Sequence, residues 1–267
     1  MARLWLVRHH GLLITLLLSL IALFCSAGAQ TAATPTLDEI LLRLETNLNH
    51  YDKQVPNFFC NEHVVSLLSY GKRQQSTITD SVFRVTRNLS GTLIEEHEIK
   101  VVNGSPANGE RVGGPVTVGG VFSGGLEAVS LRQKDCMSYT LQPIQPQDSG
   151  EPYVIQFTTL PNRKPRSACV LKEEGSGRVF IDRVTMQVTR MELMAPHHAI
   201  SPGEVGVWNI SINFAPVSFA GQTFWMPTTV TSTATPSEVY VPTVYSFSAH
   251  YADYHKLEVT SHIVPPQ

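Results

Sequence analysis

The chain has 267 residues, of which 42% are hydrophobic and 16% are charged. This balance is typical of an ordered globular domain and excludes a disordered chain, because enough apolar surface is available to form a core. The 20 basic and 22 acidic residues give a formal net charge of -2. No run of Lys and Arg longer than a pair interrupts the predicted strands, so the sequence excludes nucleic acid as a partner.

The first 29 residues have the three parts of a secretory signal peptide. Arg3 and Arg8 supply a positive start, and Gly11 to Phe24 is an almost unbroken apolar run. Small residues at Ala27-Gly28-Ala29 form a cleavage site before Gln30. We therefore expect export, with the mature protein in the periplasm or secreted.

Two other interpretations of this segment are a retained membrane anchor and a lipoprotein signal. The apolar run has 14 residues, fewer than the roughly 20 that a helix needs to cross a bilayer. Lipid attachment at Cys25 is disfavoured because the bulky Phe24 precedes it. The predicted domains are a signal peptide over 1–29, a linker over 30–35 and a single domain over 36–267.

An amphipathic helix is predicted at the start of that domain. Thr36 and Glu39 have the spacing of a capping box, in which each side chain accepts a hydrogen bond from the other residue's backbone. The helix is expected to stop before Pro56, because a residue that precedes proline is pushed out of the helical region. Apolar residues follow at helical spacing and predict the face that packs on a sheet: Leu37, Ile40, Leu41, Leu44 and Leu48.

The period changes to two after the helix, and three strands are predicted. They span Phe58 to Tyr70, Thr77 to Asn88 and Thr92 to Val102, with turns at Gly71-Lys72 and Ser90-Gly91. Within the third strand, alternation places Glu96 and Glu98 on one face and His97 on the other. A solvated strand is favoured there over a metal site.

Asn103 to Gly125 is rich in glycine and is predicted to be a lid or a surface loop. It lacks the strand–glycine–helix order of a phosphate-binding loop. A short helix is expected over Leu126 to Arg132. Strands then resume at Cys136 to Pro143, Pro152 to Leu160 and Ser167 to Lys172.

Three cysteines remain after removal of the signal peptide: Cys60, Cys136 and Cys169. Export into an oxidising compartment favours one disulfide and one free thiol. We favour the Cys136–Cys169 pair, because the two residues lie in neighbouring predicted strands, and expect Cys60 to be buried. The other pairings stay open at this point.

An antiparallel meander is predicted from Gly177 to Trp225. It consists of a short strand, a turn at Asp182 to Met186, a second strand to Met194, a proline-marked loop, and two long strands joined at Ala220-Gly221. Strict alternation predicts one apolar face for residues of the third strand: Trp208, Ile210, Ile212 and Phe214.

The C-terminal part continues this pattern. Thr228 to Ala234 is rich in β-branched residues, which favours a strand with one solvated face. Apolar and polar residues then alternate from Tyr245 to Tyr251, and a final strand is predicted from Tyr254 to Val259, toward Ile263.

Four segments together resemble the LolA-like half-barrel superfamily of periplasmic lipoprotein carriers and its exported bacterial members. The segments are Gly177-Arg178-Val179-Phe180-Ile181-Asp182, Val188-Thr189-Arg190-Met191-Glu192, Phe224-Trp225-Met226-Pro227 and Tyr251-Ala252-Asp253-Tyr254-His255-Lys256-Leu257. The pattern covers most of Thr36 to Ile263, and the specific match covers Gly177 to Pro227. The glycine-rich loop, the cysteines and the strands from Cys136 to Lys172 do not match the lipoprotein carrier.

The resemblance implies an α+β fold, a long antiparallel meander curved into a half-barrel around one or two helices. It also implies a non-enzymatic, monomeric envelope protein without cofactor or metal, whose concave face takes a lipid, an acyl chain or another hydrophobic ligand. Envelope proteins are further expected partners. The candidate ligand-binding residues are Trp208, Ile210, Ile212, Phe214, Phe224 and Trp225.

Two alternatives to the carrier remain, a structural or partner-binding envelope protein and a hydrolase without a recognisable motif. Ser123 lacks the first glycine of a nucleophile elbow. His197-His198 lies beside prolines, and His250 and His255 are five residues apart in a predicted strand region, which is not the spacing of a zinc site. No catalytic or metal-binding residue is assigned from the sequence.

Overall fold

The computed structural model describes residues 34–108, 120–122, 125–143, 150–161, 169–201, 204–237, 241 and 243–258. The predicted signal peptide and most of the glycine-rich loop lie outside the described residues. Contacts within the chain divide it into two units, Met1–Pro35 and Thr36–Gln267. All elements named below belong to the second unit.

The predicted helix is present as α1 (Leu37–Gln54). It begins at the capping box, in which the Glu39 backbone N–H donates to Thr36 Oγ1 and the Thr36 backbone N–H donates to Glu39 Oε2. Its C-cap is Val55, directly before Pro56. The residues that it buries follow the predicted stripe and extend it by one turn: Ile40, Leu41, Leu44, Leu48 and Tyr51.

Eleven strands are found among the described residues, together with two 3₁₀ turns in place of the predicted second helix. The turns are η1 (Gly125–Val129) and η2 (Leu131–Gln133). The strands are β1 (Phe58–Tyr70), β2 (Arg73–Arg87), β3 (Leu93–Val102), β4 (Ser105–Pro106), β5 (Met137–Leu141), β6 (Tyr153–Thr159), β7 (Ser176–Ile181), β8 (Val188–Ser201), β9 (Glu204–Phe219), β10 (Gln222–Pro236) and β11 (Thr243–Lys256).

All described strands pair in one antiparallel sheet with the order β4-β3-β2-β1-β11-β10-β9-β8-β7-β6-β5. Two meanders, β1 to β4 and β5 to β11, are joined where β1 pairs with β11. The chain therefore crosses from one edge of the sheet to the other between β4 and β5. The predicted fold class, a long antiparallel sheet with a helix against it, is confirmed.

The sheet curves around α1 into a half-barrel. Eleven strands laid flat span about 48 Å, whereas a helix is only about 10–12 Å wide. Nevertheless the helix and its C-cap reach distant strands. Arg87 of β2 donates to the Val55 carbonyl at 3.1 Å, Asn47 donates to the Met186 carbonyl between β7 and β8 at 2.6 Å, and His50 stacks on Phe224 of β10.

Three sequence predictions about strands were wrong in detail. In the strand predicted over Ser167 to Lys172, Cys169 and Val170 form a bend and Leu171 and Lys172 have no regular structure, while Ser167 and Ala168 lie outside the described residues. The predicted loop after Met194 is part of β8, which accommodates Pro196 through a register shift between Ala195 and His198. The last strand, predicted to begin separately at Tyr254, is instead continuous with β11, which passes through Asp253 although that residue has a positive φ of 55°.

Gly177 is required by close packing between β6, β7 and β8. A Cβ atom there would lie 2.1 Å from the Glu192 carbonyl oxygen and 2.3 Å from the Phe157 ring. We therefore expect Gly177→Ala to destabilise the protein by about 1–3 kcal/mol in urea unfolding, the usual cost of overpacking. A Cβ atom at Gly150 would meet no atom of the described residues within 4 Å, so Gly150→Ala should change stability by less than about 0.5 kcal/mol. Equal effects of the two substitutions would contradict this account.

Candidate functional site

Most of the ligand-binding residues predicted from the sequence lie in the packed core of the half-barrel. Ile210, Ile212, Phe214 and Phe224 are between 3% and 6% exposed and belong to the same contiguous cluster as the buried face of α1. Trp208 is half-buried, and its indole Nε1 donates to Ser232 Oγ at 2.6 Å.

The last two predicted residues, Phe224 and Trp225, are neighbours on β10. Phe224 packs against His50 and Tyr51 of the helix, and Trp225 is half-buried and packs against the core cluster. Both residues line a small cavity beside the helix.

A small cavity remains between the helix and β10. It measures about 30 Å³ and is lined by residues that include Leu44, Leu48, Tyr51 and Phe224. This volume suffices for a water molecule or two, so no acyl chain fits between α1 and β10 in this conformation. A ligand on the concave face needs another entry.

At the other side of the inner face, a short segment that we call the plug (Gly120–Phe122) covers β1, β2 and β11. The Phe122 side chain is 4% exposed. Its ring centroid lies 4.7 Å from that of Phe83, 5.2 Å from Tyr251 and 5.5 Å from Phe58. The plug thus fills a niche walled by aromatic side chains.

The plug is held by the carboxylate of Glu95 on β3. The backbone N–H groups of Gly120 and Phe122 donate to Glu95 Oε2 and Oε1 at 2.7 and 2.9 Å. Hydrogen bonds to a charged acceptor are stronger than those between neutral groups. Two of them on one carboxylate fix the plug over the niche.

The neighbouring carboxylates of β3 face the other way, as alternation predicts. Glu98 pairs with Arg84 at 2.6 Å and with Lys100 on the outer face. The hydrogen bonds from Lys100 and Arg84 hold the pKa of Glu98 below its usual value. His97 points inward like Glu95, because its register partner is the buried Phe83.

A buried carboxylate, Glu62 of β1, borders the niche. Glu62 is 2% exposed, and its Oε2 lies 3.0 Å from His97 Nδ1. Glu62 Oε1 has no hydrogen-bond partner in the described structure. In register, Glu62 stands opposite Tyr251 of β11, and the His97 ring packs edge-on against Phe83 at 4.3 Å.

Two buried side chains near Glu62, those of Tyr251 and Cys60, are kept neutral. Burial, and then the nearby charge of Glu62, raises the pKa of Tyr251. The same two causes raise the pKa of the Cys60 thiol to about 12. Since the thiolate is the nucleophilic form of cysteine, Cys60 is not an activated nucleophile at neutral pH.

Sequence reasoning missed Glu62, Glu95 and Phe122 as site residues. A signal for Glu62 was present, because it continues the inward series Phe58, Cys60 and Val64 of β1 at intervals of two. A carboxylate that occupies the same alternate positions of a strand as the buried residues is predicted to point into the core. No comparable signal marks Glu95 or Phe122.

A second, larger cavity crosses β6 to β10. It measures about 570 Å³ and is lined by polar residues such as Gln156, Asn209 and Thr231, with the Arg178–Glu192 ion pair among them. The buried residues Phe157, Leu193 and Ile210 also line it, so one of the predicted ligand-binding residues, Ile210, borders this cavity.

Neither a metal centre nor a membrane-spanning helix is found in the described part of the chain. No three His, Cys, Asp or Glu side chains there are grouped as metal ligands. None of the described helices is both long and apolar enough to cross a bilayer.

Comparison with known proteins gives no match to a protein-family model or to a curated protein. Solved structures do match. A LolA superfamily protein from Nitrosomonas europaea has a TM-score of 0.35 and 9% identity, over 85% of this chain and 96% of that one. This structure comes from the superfamily that the sequence resembles.

Two further solved structures are similar over comparable lengths. A DUF1329 family protein from Desulfovibrio piger has a TM-score of 0.40 and 10% identity, over 85% of this chain and 96% of that one. A putative outer membrane lipoprotein-sorting protein domain from Vibrio parahaemolyticus has a TM-score of 0.37 and 10% identity, over 80% and 91%. TM-scores this low carry no argument about what this chain binds.

Proposed function

We propose that the chain is an exported envelope protein that binds a lipid or acyl chain on the inner face of its half-barrel, without catalysis. The observation that carries the proposal is the plug. Phe122 fills a niche whose walls, Phe58, Phe83 and Tyr251, come from three strands of the sheet. The backbone N–H groups of Gly120 and Phe122 donate to the Glu95 carboxylate. An apolar ligand takes the place of Phe122.

The energetics suit a reversible exchange. Withdrawal of the Phe122 ring exposes aromatic walls to water, and an incoming alkyl chain recovers about 0.8 kcal/mol for each buried methylene group. The opposing term is the loss of the two hydrogen bonds from Gly120 and Phe122 to Glu95. Hydrogen bonds to charged groups contribute about 1.5–3 kcal/mol each. We call these two hydrogen bonds to Glu95 the clamp, and their loss therefore sets the barrier to ligand entry.

Weakening the clamp should speed ligand entry. In Glu95→Gln one carboxylate oxygen is replaced by an NH₂ group, which cannot accept a hydrogen bond from a plug amide. We expect dansyl-undecanoic acid to bind the delipidated variant about tenfold faster than the wild type in stopped-flow fluorescence, because about 1.4 kcal/mol corresponds to a factor of ten.

Glu98→Gln is the matched control. Glu98 lies on the same strand but pairs with Arg84 and Lys100 on the outer face, so the rate of probe binding should stay at the wild-type value. Equal acceleration in both variants would show that net charge, rather than the clamp, controls entry. If the wild type binds neither this anionic probe nor the neutral amphiphile dodecyl maltoside, the carrier function is excluded.

A further inference from the structure

The carboxylate of Glu62 lies buried beside the niche under Phe122. Glu62 is 2% exposed, and Oε1 of its carboxylate has no hydrogen-bond partner in the described structure. A buried anion is costly unless an opposite charge is close to it. This carboxylate therefore favours a ligand that carries positive charge.

The aromatic walls favour the same chemistry. The centroid of the Phe122 ring lies between 4.7 and 5.5 Å from those of Phe83, Tyr251 and Phe58, and 6.3 Å from that of Tyr254. A cation is attracted to an aromatic ring face within about 6 Å of the centroid, and such cages recognise quaternary ammonium groups. A trimethylammonium group is similar in size to the phenyl ring that it would replace.

The charges around the niche are mainly negative. The carboxylates of Glu62 and Glu95 border it, and the nearby imidazole of His97 already contacts Glu62 Oε2. A second carboxylate entering this poorly solvated space would meet like charge, which is costly at low dielectric. The niche therefore discriminates against the head group of a fatty acid.

We propose that the niche binds the quaternary ammonium head group of an amphiphile, with Glu62 as the counter-ion and Phe122 as the group that occupies the cage in its absence. This inference rests on the proposed carrier function and names the chemical class of its ligand. The alkyl part of the amphiphile extends over the apolar inner face, where Val64 and Ala249 are buried next to Glu62 and Tyr251.

The head-group preference of the wild-type protein is the primary test. Dodecyltrimethylammonium, dodecyl maltoside and dodecanoate, each below its micellar concentration, are titrated into delipidated protein by calorimetry. We expect the ammonium amphiphile to bind about tenfold or more tightly than the neutral one, and dodecanoate to bind most weakly. Because this comparison needs no substitution, it does not depend on the folding of a variant.

Glu62→Gln then tests the counter-ion. Its affinity for dodecyltrimethylammonium should fall about tenfold, while its affinity for dodecyl maltoside should stay within about twofold of the wild type. The matched control is Asp80→Asn, since Asp80 forms a similar pair with His63, at 2.7 Å, but is exposed to solvent. This substitution should leave both affinities unchanged.

The outcomes separate the two proposals. If dodecyl maltoside or dodecanoate binds as tightly as the ammonium amphiphile, the cation site is excluded and the carrier function stands. An equal loss of affinity for all three amphiphiles in Glu62→Gln would assign Glu62 a structural role only and exclude it as the counter-ion. If no amphiphile binds to the wild type, both proposals fail.

Discussion

Replacement of both Cys136 and Cys169 by alanine is expected to lower the free energy of unfolding by about 3–4 kcal/mol. The structure joins these residues in a disulfide, which confirms the favoured pairing, and their Cα atoms are 5.7 Å apart. The bridge closes a loop with a sequence separation of 33 residues. In the chain-entropy model, a loop of this length restricts the unfolded state by about that free energy.

The bridge ties the edge strand β5 to the segment that precedes β7. Cys136 directly precedes β5 at the edge of the sheet, and Cys169 lies in a bend before β7. Nearby, the Val170 backbone N–H donates to Gln133 Oε1 at 2.9 Å. Urea unfolding of the double variant, compared with the wild type before and after reduction, measures the contribution of the bridge.

Thiol counting provides an independent check. The protein without residues 1–29, denatured but not reduced, should give one free sulfhydryl, from the buried Cys60. Three sulfhydryls would show that the bridge does not form in solution. An unfolding free energy that does not change on reduction would contradict the predicted stabilisation even if the bridge forms.

Leu44→Ala should have the second large effect, a loss of about 2–5 kcal/mol in the free energy of unfolding. Leu44 is 2% exposed and lies on the face of α1 that packs on the sheet. Truncation of a well-packed leucine loses its burial and leaves a cavity, and both terms destabilise the folded state. The small space already present beside Leu44 adds to that cavity.

Leu42→Ala is the control for this substitution. Leu42 belongs to the same helix but is 60% exposed, so alanine there should change stability by less than about 0.5 kcal/mol. Both variants keep a residue of high helix propensity, and the comparison therefore isolates packing from helix formation. A cost below about 0.5 kcal/mol for Leu44→Ala would show that α1 is not part of the core.

The amino-acid sequence alone was sufficient to predict the local elements of this protein. The capping box from Thr36 to Glu39 and the residue before Pro56 mark both ends of α1. Alternation along β9 predicts the burial of Ile210, Ile212 and Phe214. Both signals are local, since capping depends on a few backbone groups and side-chain direction on the period of one element.

Two predictions about single segments were wrong. Pro196 indicates a loop, but β8 passes through it at a register shift. Tolerance of a proline at a bulge depends on the neighbouring strand, which sequence periodicity does not report. The strand predicted over Ser167 to Lys172 is not found in its described part, Cys169–Lys172, which begins with a bend.

Only the tertiary structure decided how distant residues meet in the candidate site. Glu95 and Phe122 are 27 residues apart, and Glu62 and His97 are 35 residues apart. Their contacts depend on the pairing of β1 with β2 and β11, and on the crossing of the chain between the two edges of the sheet. Each pairing is the sum of many cross-strand contacts, so neither the period nor the composition of one segment determines it.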